Sequence, residues 1–231
     1  MKTRTFRRLS RLALGLVLGL PATANTVTFS GFTWNSFYGP ENLTVDGSGD
    51  LHVPTTSNTY GAAATTLAAD TASLFGTYTD GGPGVEPGQE VWVLAVSGDQ
   101  EFEAAVGAFG NFDNTVNVAY WYILTSGVMT SSNFVEFPRT AGDHTAGFNL
   151  LANGDLEFLY DGSVELTTTP ADFAIPDLQT GLLTAGGTTE GQDGVFNSFT
   201  TGVPEPRAGA LAGLGLVALL AAGWKRSERP S

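Results

Sequence analysis

Between Thr26 and Thr200 apolar and polar residues alternate in short runs with period two, and clusters of Gly, Asn, Asp and Pro break the runs. An extended strand turns successive side chains to opposite faces, so the pattern predicts strands with one buried face rather than helices. Thr26–Trp34 sets Val27, Phe29, Gly31 and Thr33 against Thr28, Ser30, Phe32 and Trp34, a single, partly two-sided strand. Further strands are expected over Leu43–Val45, Leu51–Val53, Leu74–Thr79, Glu90–Ser97, Glu101–Phe109, Val116–Leu124, Asn133–Phe137, His144–Leu151, Leu156–Tyr160, Ser163–Thr167 and Val195–Thr200. Helical periodicity is confined to Ala62–Ala72, and Gly-rich turns occupy Asp80–Gly88 and Gly186–Gly194.

The clearest hairpin spans Gly147–Glu165. Phe148, Leu150, Leu156, Phe158 and Tyr160 flank Asn153-Gly154, two residues that tolerate the positive φ angles of a type I′ turn. A second turn at Asp161-Gly162 leads into Val164-Glu165-Leu166. This run resembles the strand pair near the end of concanavalin-like and laminin-G-like jelly rolls. The resemblance implies a closing strand beside the first one, with an Asp or Asn between aromatics, as in Val195-Phe196-Asn197-Ser198-Phe199. Residues 25–202 are therefore expected to form one all-β domain, a β-sandwich of the concanavalin-like jelly-roll class. That length suits a single core.

The two ends carry a different pattern. Lys2, Arg4, Arg7, Arg8 and Arg11 precede the apolar stretch Leu12–Leu20, and Ala22-Thr23-Ala24 has the small-x-small form of a cleavage site. Residues 1–24 thus read as a signal peptide for the general secretory route, cut after Ala24 by signal peptidase. At the other end Val203-Pro204-Glu205-Pro206 is followed by an uncharged apolar run, residues 208–224, and then by Lys225, Arg226 and Arg229. Seventeen residues make roughly 25 Å of helix, enough to cross a thin hydrocarbon core. The basic cluster would stay cytoplasmic, leaving the domain outside. Motif, span and basic end in this order resemble the PEP-CTERM sorting signal of Gram-negative bacteria, on residues 203–231. The resemblance implies inner-membrane anchoring, removal of the tail by exosortase, and a final place at the cell surface or in the extracellular matrix.

Charge sharpens the picture. Residues 25–206 hold 22 acidic side chains and one basic one, Arg139, a net charge of −21. Such a field repels nucleic acid and anionic lipid and favours cations. Arg139 suits a surface ion pair or a ligand contact. There is no cysteine, so disulfides, thiolate metal sites and cysteine nucleophiles are excluded. The two histidines, His52 and His144, lack metal-ligand spacing, which argues against zinc or haem.

Several residue sets have the composition of a site. Asp46-Gly47-Ser48-Gly49-Asp50 offers oxygens at alternate positions, as a calcium loop does, with Asp46 and Asp50 as ligands. The same residues suit a hairpin turn between Leu43-Thr44-Val45 and Leu51-His52-Val53. Asp80, Glu86 and Glu90 around a Gly/Pro-rich loop, and Asn111, Asp113 and Asn114 in another turn, are further oxygen-rich sets. Asp99, Glu101 and Glu103 would project from one strand face. Paired carboxylates drive glycoside hydrolysis, but the laminarinase-like motif Glu-x-Asp-x-x-Glu is not matched by Asp-Gln-Glu-Phe-Glu, and the set reads first as a solvated acidic face. Among aromatics, Trp34, Tyr120 and Tyr122 are candidates for stacking on sugar rings, Tyr120 and Tyr122 sharing one face and Trp121 taking the other.

Proteins with PEP-CTERM signals are associated with exopolysaccharide and biofilm matrix. The resemblance implies a non-catalytic surface or matrix protein that engages extracellular polysaccharide, with calcium bridging its acidic loops. A purely structural or adhesive matrix component without a discrete ligand is the alternative, and a glycoside hydrolase of the concanavalin-like fold is the third reading.

Overall fold

The computed structural model describes residues 25–38, 42–55, 60–68, 71–83, 90–97, 102–108, 116–168, 178–186 and 193–202. The expected signal peptide (1–24) and sorting tail (203–231) lie outside these residues, as do Asn111, Asp113 and Asn114. All regular structure among the described residues is strand, and no helix there is long and apolar enough to cross a membrane. In chain order the strands are β1 (Thr26–Phe29), β2 (Phe32–Tyr38), β3 (Thr44–Val45), β4 (Leu51–Val53), β5 (Tyr60–Thr66), β6 (Ser73–Asp80), β7 (Glu90–Ser97) and β8 (Phe102–Ala108). They continue as β9 (Val116–Thr125), β10 (Val128–Pro138), β11 (Gly142–Leu150), β12 (Leu156–Tyr160), β13 (Ser163–Thr168), β14 (Leu178–Gly186) and β15 (Gly194–Gly202).

Eight strands form one sheet in the order β1-β2-β5-β14-β7-β8-β9-β10, and seven form the other in the order β13-β12-β11-β6-β15-β4-β3. Every pairing is antiparallel. The last two strands return to the interiors of the two sheets, β14 between β5 and β7 and β15 between β6 and β4, which ties late sequence to early sequence. The expected β-sandwich is therefore the fold.

Between the sheets lies one apolar core, including Trp34, Tyr78, Val93, Trp121, Phe148, Phe158, Phe196 and Phe199. The smaller sheet shows the alternation that one solvent-facing side produces. In β12 Leu156, Phe158 and Tyr160 are buried while Glu157 and Leu159 between them are only half-buried. The larger sheet differs, because β8 is buried along its whole length and β7 nearly so. Its outward face carries a second buried cluster of Trp92, Leu94, Ala105, Val118, Tyr120, Tyr122, Leu124 and Leu182.

Three tight turns depend on left-handed residues. Ser30-Gly31, Ser126-Gly127 and Asp161-Gly162 all have positive φ at both positions, the type I′ geometry whose twist matches antiparallel strands. The first of these splits the expected single strand Thr26–Trp34 into β1 and β2. Asn153 is not in that conformation. The link from β11 to β12 is a longer loop in which Gly154 alone has positive φ, closed by the Gly154 N–H donating to the Leu151 carbonyl (2.9 Å). The Asn153 side-chain oxygen accepts the Asp155 N–H (3.1 Å), so its amide is spent on the turn.

Two other expectations are corrected. Ala62–Ala72 is not a helix: its first part lies in β5, where Ala63 faces the core and Thr65 donates to the Thr33 carbonyl (2.9 Å). Alanine's helix propensity is worth tenths of a kcal/mol per residue and yields to the ladders on both sides. The closing strand does not lie beside the first one. β15 pairs with β6 and β4, and Phe199 packs edge-on against Trp34 (4.8 Å) and Phe32 (5.0 Å) of the facing sheet.

Candidate functional site

The outward face of the larger sheet carries two buried carboxyls, Glu90 and Glu103, among aromatic rings. In β7, Val91, Val93 and Ala95 enter the inter-sheet core, so Glu90, Trp92, Leu94 and Val96 take the opposite face. In β8 the outward row is Glu103, Ala105 and Gly107, and in β9 it is Val118, Tyr120, Tyr122 and Leu124. The register puts Trp92 beside Gly107 and Leu94 beside Ala105, with Val118 and Tyr120 next in line. The small residues of β8 leave room above the strand, and the Trp92 and Tyr120 rings meet over it with centroids 5.5 Å apart. A Cβ on Gly107 would come within 2.0 Å of the Val91 carbonyl oxygen, so no larger residue fits there without moving the backbone.

Glu103 is 4% exposed, and its Oε1 accepts the Tyr120 hydroxyl at 2.7 Å. Burial pushes its carboxyl above the ordinary carboxylate range, and hydrogen bonds from Tyr122 and Tyr120 pull in the other direction without overcoming it. Burial and the Glu103 charge push both tyrosine hydroxyls upward in turn, so they remain donors. Glu90 is also buried, its Oε2 accepts the Trp92 indole N–H at 3.3 Å, and its charge acts on Tyr120 as well. The Tyr120 and Tyr122 rings run parallel, 6.0 Å apart and 9° from coplanar. The face thus carries two buried carboxyls, one raised above the ordinary carboxylate range by burial, among aromatic rings.

The other sequence candidates fall in different places. Glu103 is not part of a solvated acidic face, because the outward side of the larger sheet is itself buried; Asp99 and Glu101 lie outside the described residues. Tyr120 and Tyr122 share a face as alternation requires, but at 2% and 3% exposure their rings are enclosed rather than open for stacking. Trp34 is not a ligand-stacking residue: it is fully buried between the sheets, and its indole N–H donates to the Phe29 carbonyl (3.1 Å).

Asp46 and Asp50 lie in the hairpin turn between β3 and β4. One Asp46 carboxylate oxygen accepts the N–H groups of Ser48 (2.8 Å) and Asp50 (3.1 Å), and the other accepts the His52 Nε2–H (3.1 Å). Those bonds, the one from His52 foremost, hold the Asp46 carboxyl below its ordinary value. No cluster of three or more His, Asp or Glu among the described residues is arranged to hold a metal ion.

Asp80 and Glu90 are not brought together. Glu90 faces outward from the larger sheet, Asp80 ends β6 in the smaller one, and Glu86 lies outside the described residues. Asp80 instead grips Arg139, whose Nε donates to both carboxylate oxygens (3.1 and 2.9 Å) and whose Nη2 donates at 2.6 Å. Both side chains are completely buried, so the surface ion pair expected for Arg139 is an interior one. Ala22, Ala24, Val203, Pro204, Glu205, Pro206, Lys225, Arg226 and Arg229 lie outside the described residues. Trp92 and the outward setting of Glu90 were not read from the sequence, although Glu-x-Trp-x-Leu-x-Val at period two carries the signal.

No protein-family model and no curated protein matches the chain. Solved structures do. The Crh5 transglycosylase is 16% identical with a TM-score of 0.56, over 81% of this chain and 87% of that one. A Bacillus licheniformis β-glucanase is 15% identical with a TM-score of 0.53, over 82% and 96%. The laminarinase catalytic domain from Thermotoga maritima is 10% identical with a TM-score of 0.59, over 79% and 95%. The fold is a concanavalin-like jelly roll. The same finding corrects the expectation of a non-catalytic matrix protein, because the neighbours are named as a transglycosylase, a β-glucanase and a laminarinase.

Proposed function

We propose that the chain is a polysaccharide-active enzyme, a glycoside hydrolase or transglycosylase, working on the outward face of the larger sheet. The observation that carries the reading is Glu103: a carboxyl on a central strand, desolvated and gripped by tyrosine hydroxyls. Glycosidic bond cleavage uses one carboxyl that enters protonated and gives its proton to the leaving oxygen, and another that acts as nucleophile or base. Burial suits Glu103 to the first role. Glu90 does not supply the second: it stands six residues along β7 from Val96, the residue opposite Glu103, about 20 Å of strand against the roughly 5–10 Å that paired catalytic carboxyls require.

The neighbours' substrates, as their names give them, point to β-glucans and laminarin as probes, and agarose is added by a further similar structure, β-agarase A from Zobellia galactanivorans (11% identical, TM-score 0.53, over 73% of this chain and 80% of that one). Export is part of the proposal, supported by the signal-peptide pattern of residues 1–24 and the sorting pattern of residues 203–231, with signal peptidase and exosortase as processing partners. The test is incubation of the purified chain with laminarin, barley β-glucan and agarose, scoring new reducing ends and transfer products. Activity that falls at least 100-fold in E103Q is expected. Absence of hydrolysis and transfer on all three polymers, or full activity in E103Q, would overturn the reading.

A further inference from the structure

Tyr120 stands out in this site because its hydroxyl is committed to a single acceptor while its ring is held from two sides. Trp92 meets the ring edge-on at 5.5 Å and 74°, and Tyr122 lies parallel to it at 6.0 Å. The phenol oxygen then reaches Glu103 Oε1 at 2.7 Å from a residue 17 positions along the chain. Tyr120 sits in β9 opposite Ala105, two residues from Glu103 along β8, so it approaches the carboxyl diagonally across the ladder. Ala105 is the small residue that makes this diagonal passable.

We propose that Tyr120 is the positioning residue of the site: its hydroxyl fixes which Glu103 oxygen carries the proton and how readily that proton leaves. This rests on the polysaccharide-active reading above. Because Oε1 accepts the phenol proton, the acid proton of Glu103 is directed to Oε2. Among the described residues the groups bearing on Glu103 are few. Tyr122 lies opposite it on β9 and donates to it, Val96 lies opposite it on β7 and is apolar, and Glu90 acts on Tyr120 from β7.

The decisive experiment is a pH titration of the Glu103 side-chain carboxyl by carbon-13 NMR in the wild type, Y120F and Y122F, run beside the pH profile of activity. Phenylalanine keeps the ring and its clamps and removes only the donor oxygen. Loss of a hydrogen bond to the ionised carboxylate moves the Glu103 titration upward by about one pH unit in Y120F. The activity limb governed by Glu103 moves by the same amount. Y122F, which removes the second donor, also moves the titration upward. A merely structural tyrosine would lower stability and leave both midpoints in place, and that result, or a downward shift, overturns the proposal. If the titration moves while no polymer is cleaved, the positioning role stands and the enzymatic reading falls. If cleavage is seen with an unmoved titration, the reverse holds.

Discussion

Replacing Asp80 with alanine strands the Arg139 guanidinium in the interior. Both side chains have no exposed surface, and the carboxylate accepts three contacts from the guanidinium as well as the Gly82 N–H at 2.8 Å. Deleting one partner of such a pair costs about 3–5 kcal/mol, because the buried charge loses the carboxylate that compensates its desolvation. That is a fifth or more of the ~5–15 kcal/mol that holds a typical domain folded. For a domain of about 180 residues it corresponds to a drop in melting temperature of roughly 6–20 °C. The assay is urea unfolding followed by tryptophan fluorescence, with a thermal melt beside it. The double variant D80L/R139M removes both charges and fills the space with apolar groups, and is expected to recover most of the loss. A D80A loss below about 1 kcal/mol, or a double variant as unstable as the single, would refute the reasoning.

Phe199 to alanine removes the ring that packs on both Trp34 and Phe32 between the sheets, and a cost of about 3–5 kcal/mol in urea unfolding is expected, with a red shift in tryptophan emission. Glu103 should leave a signature in stability against pH. The folded chain holds its proton more tightly than the unfolded chain, so stability falls as pH rises from the ordinary value of 4.5 through the raised one and is level beyond it. E103Q should lack that component, which urea midpoints measured from pH 4 to 9 would detect.

Where one side of a strand meets solvent, the pattern of side chains reveals both the strand and its face. β12, with Leu156, Phe158 and Tyr160 inward, matches its expected bounds for this reason. β14 escaped notice because Leu182, Leu183, Thr184, Ala185 and Gly186 are all buried, and a strand covered on both sides shows no alternation. Ala62–Thr66 misled in the opposite way, since its alanines favour a helix until neighbouring strands claim the backbone. Period two correctly separates Tyr120 and Tyr122 from Trp121. It does not reveal whether the tyrosine side is wet, because that depends on what lies over the sheet. The partner of Arg139 was equally hidden, for Asp80 is 59 residues away and only the β6–β11 pairing, Asp80 opposite Gly142, brings the two regions together.

The burial of Arg139 also decides how the folded protein meets proteases. Between residues 25 and 206 it is the only Lys or Arg, hence the only bond trypsin can recognise, and its side chain is sealed against Asp80. A trypsin active site must draw that side chain into its own specificity pocket, which requires the sandwich to open first. Tryptic cleavage after Arg139 therefore counts openings of the whole domain, and a single-cut digestion becomes a direct clock for its unfolding.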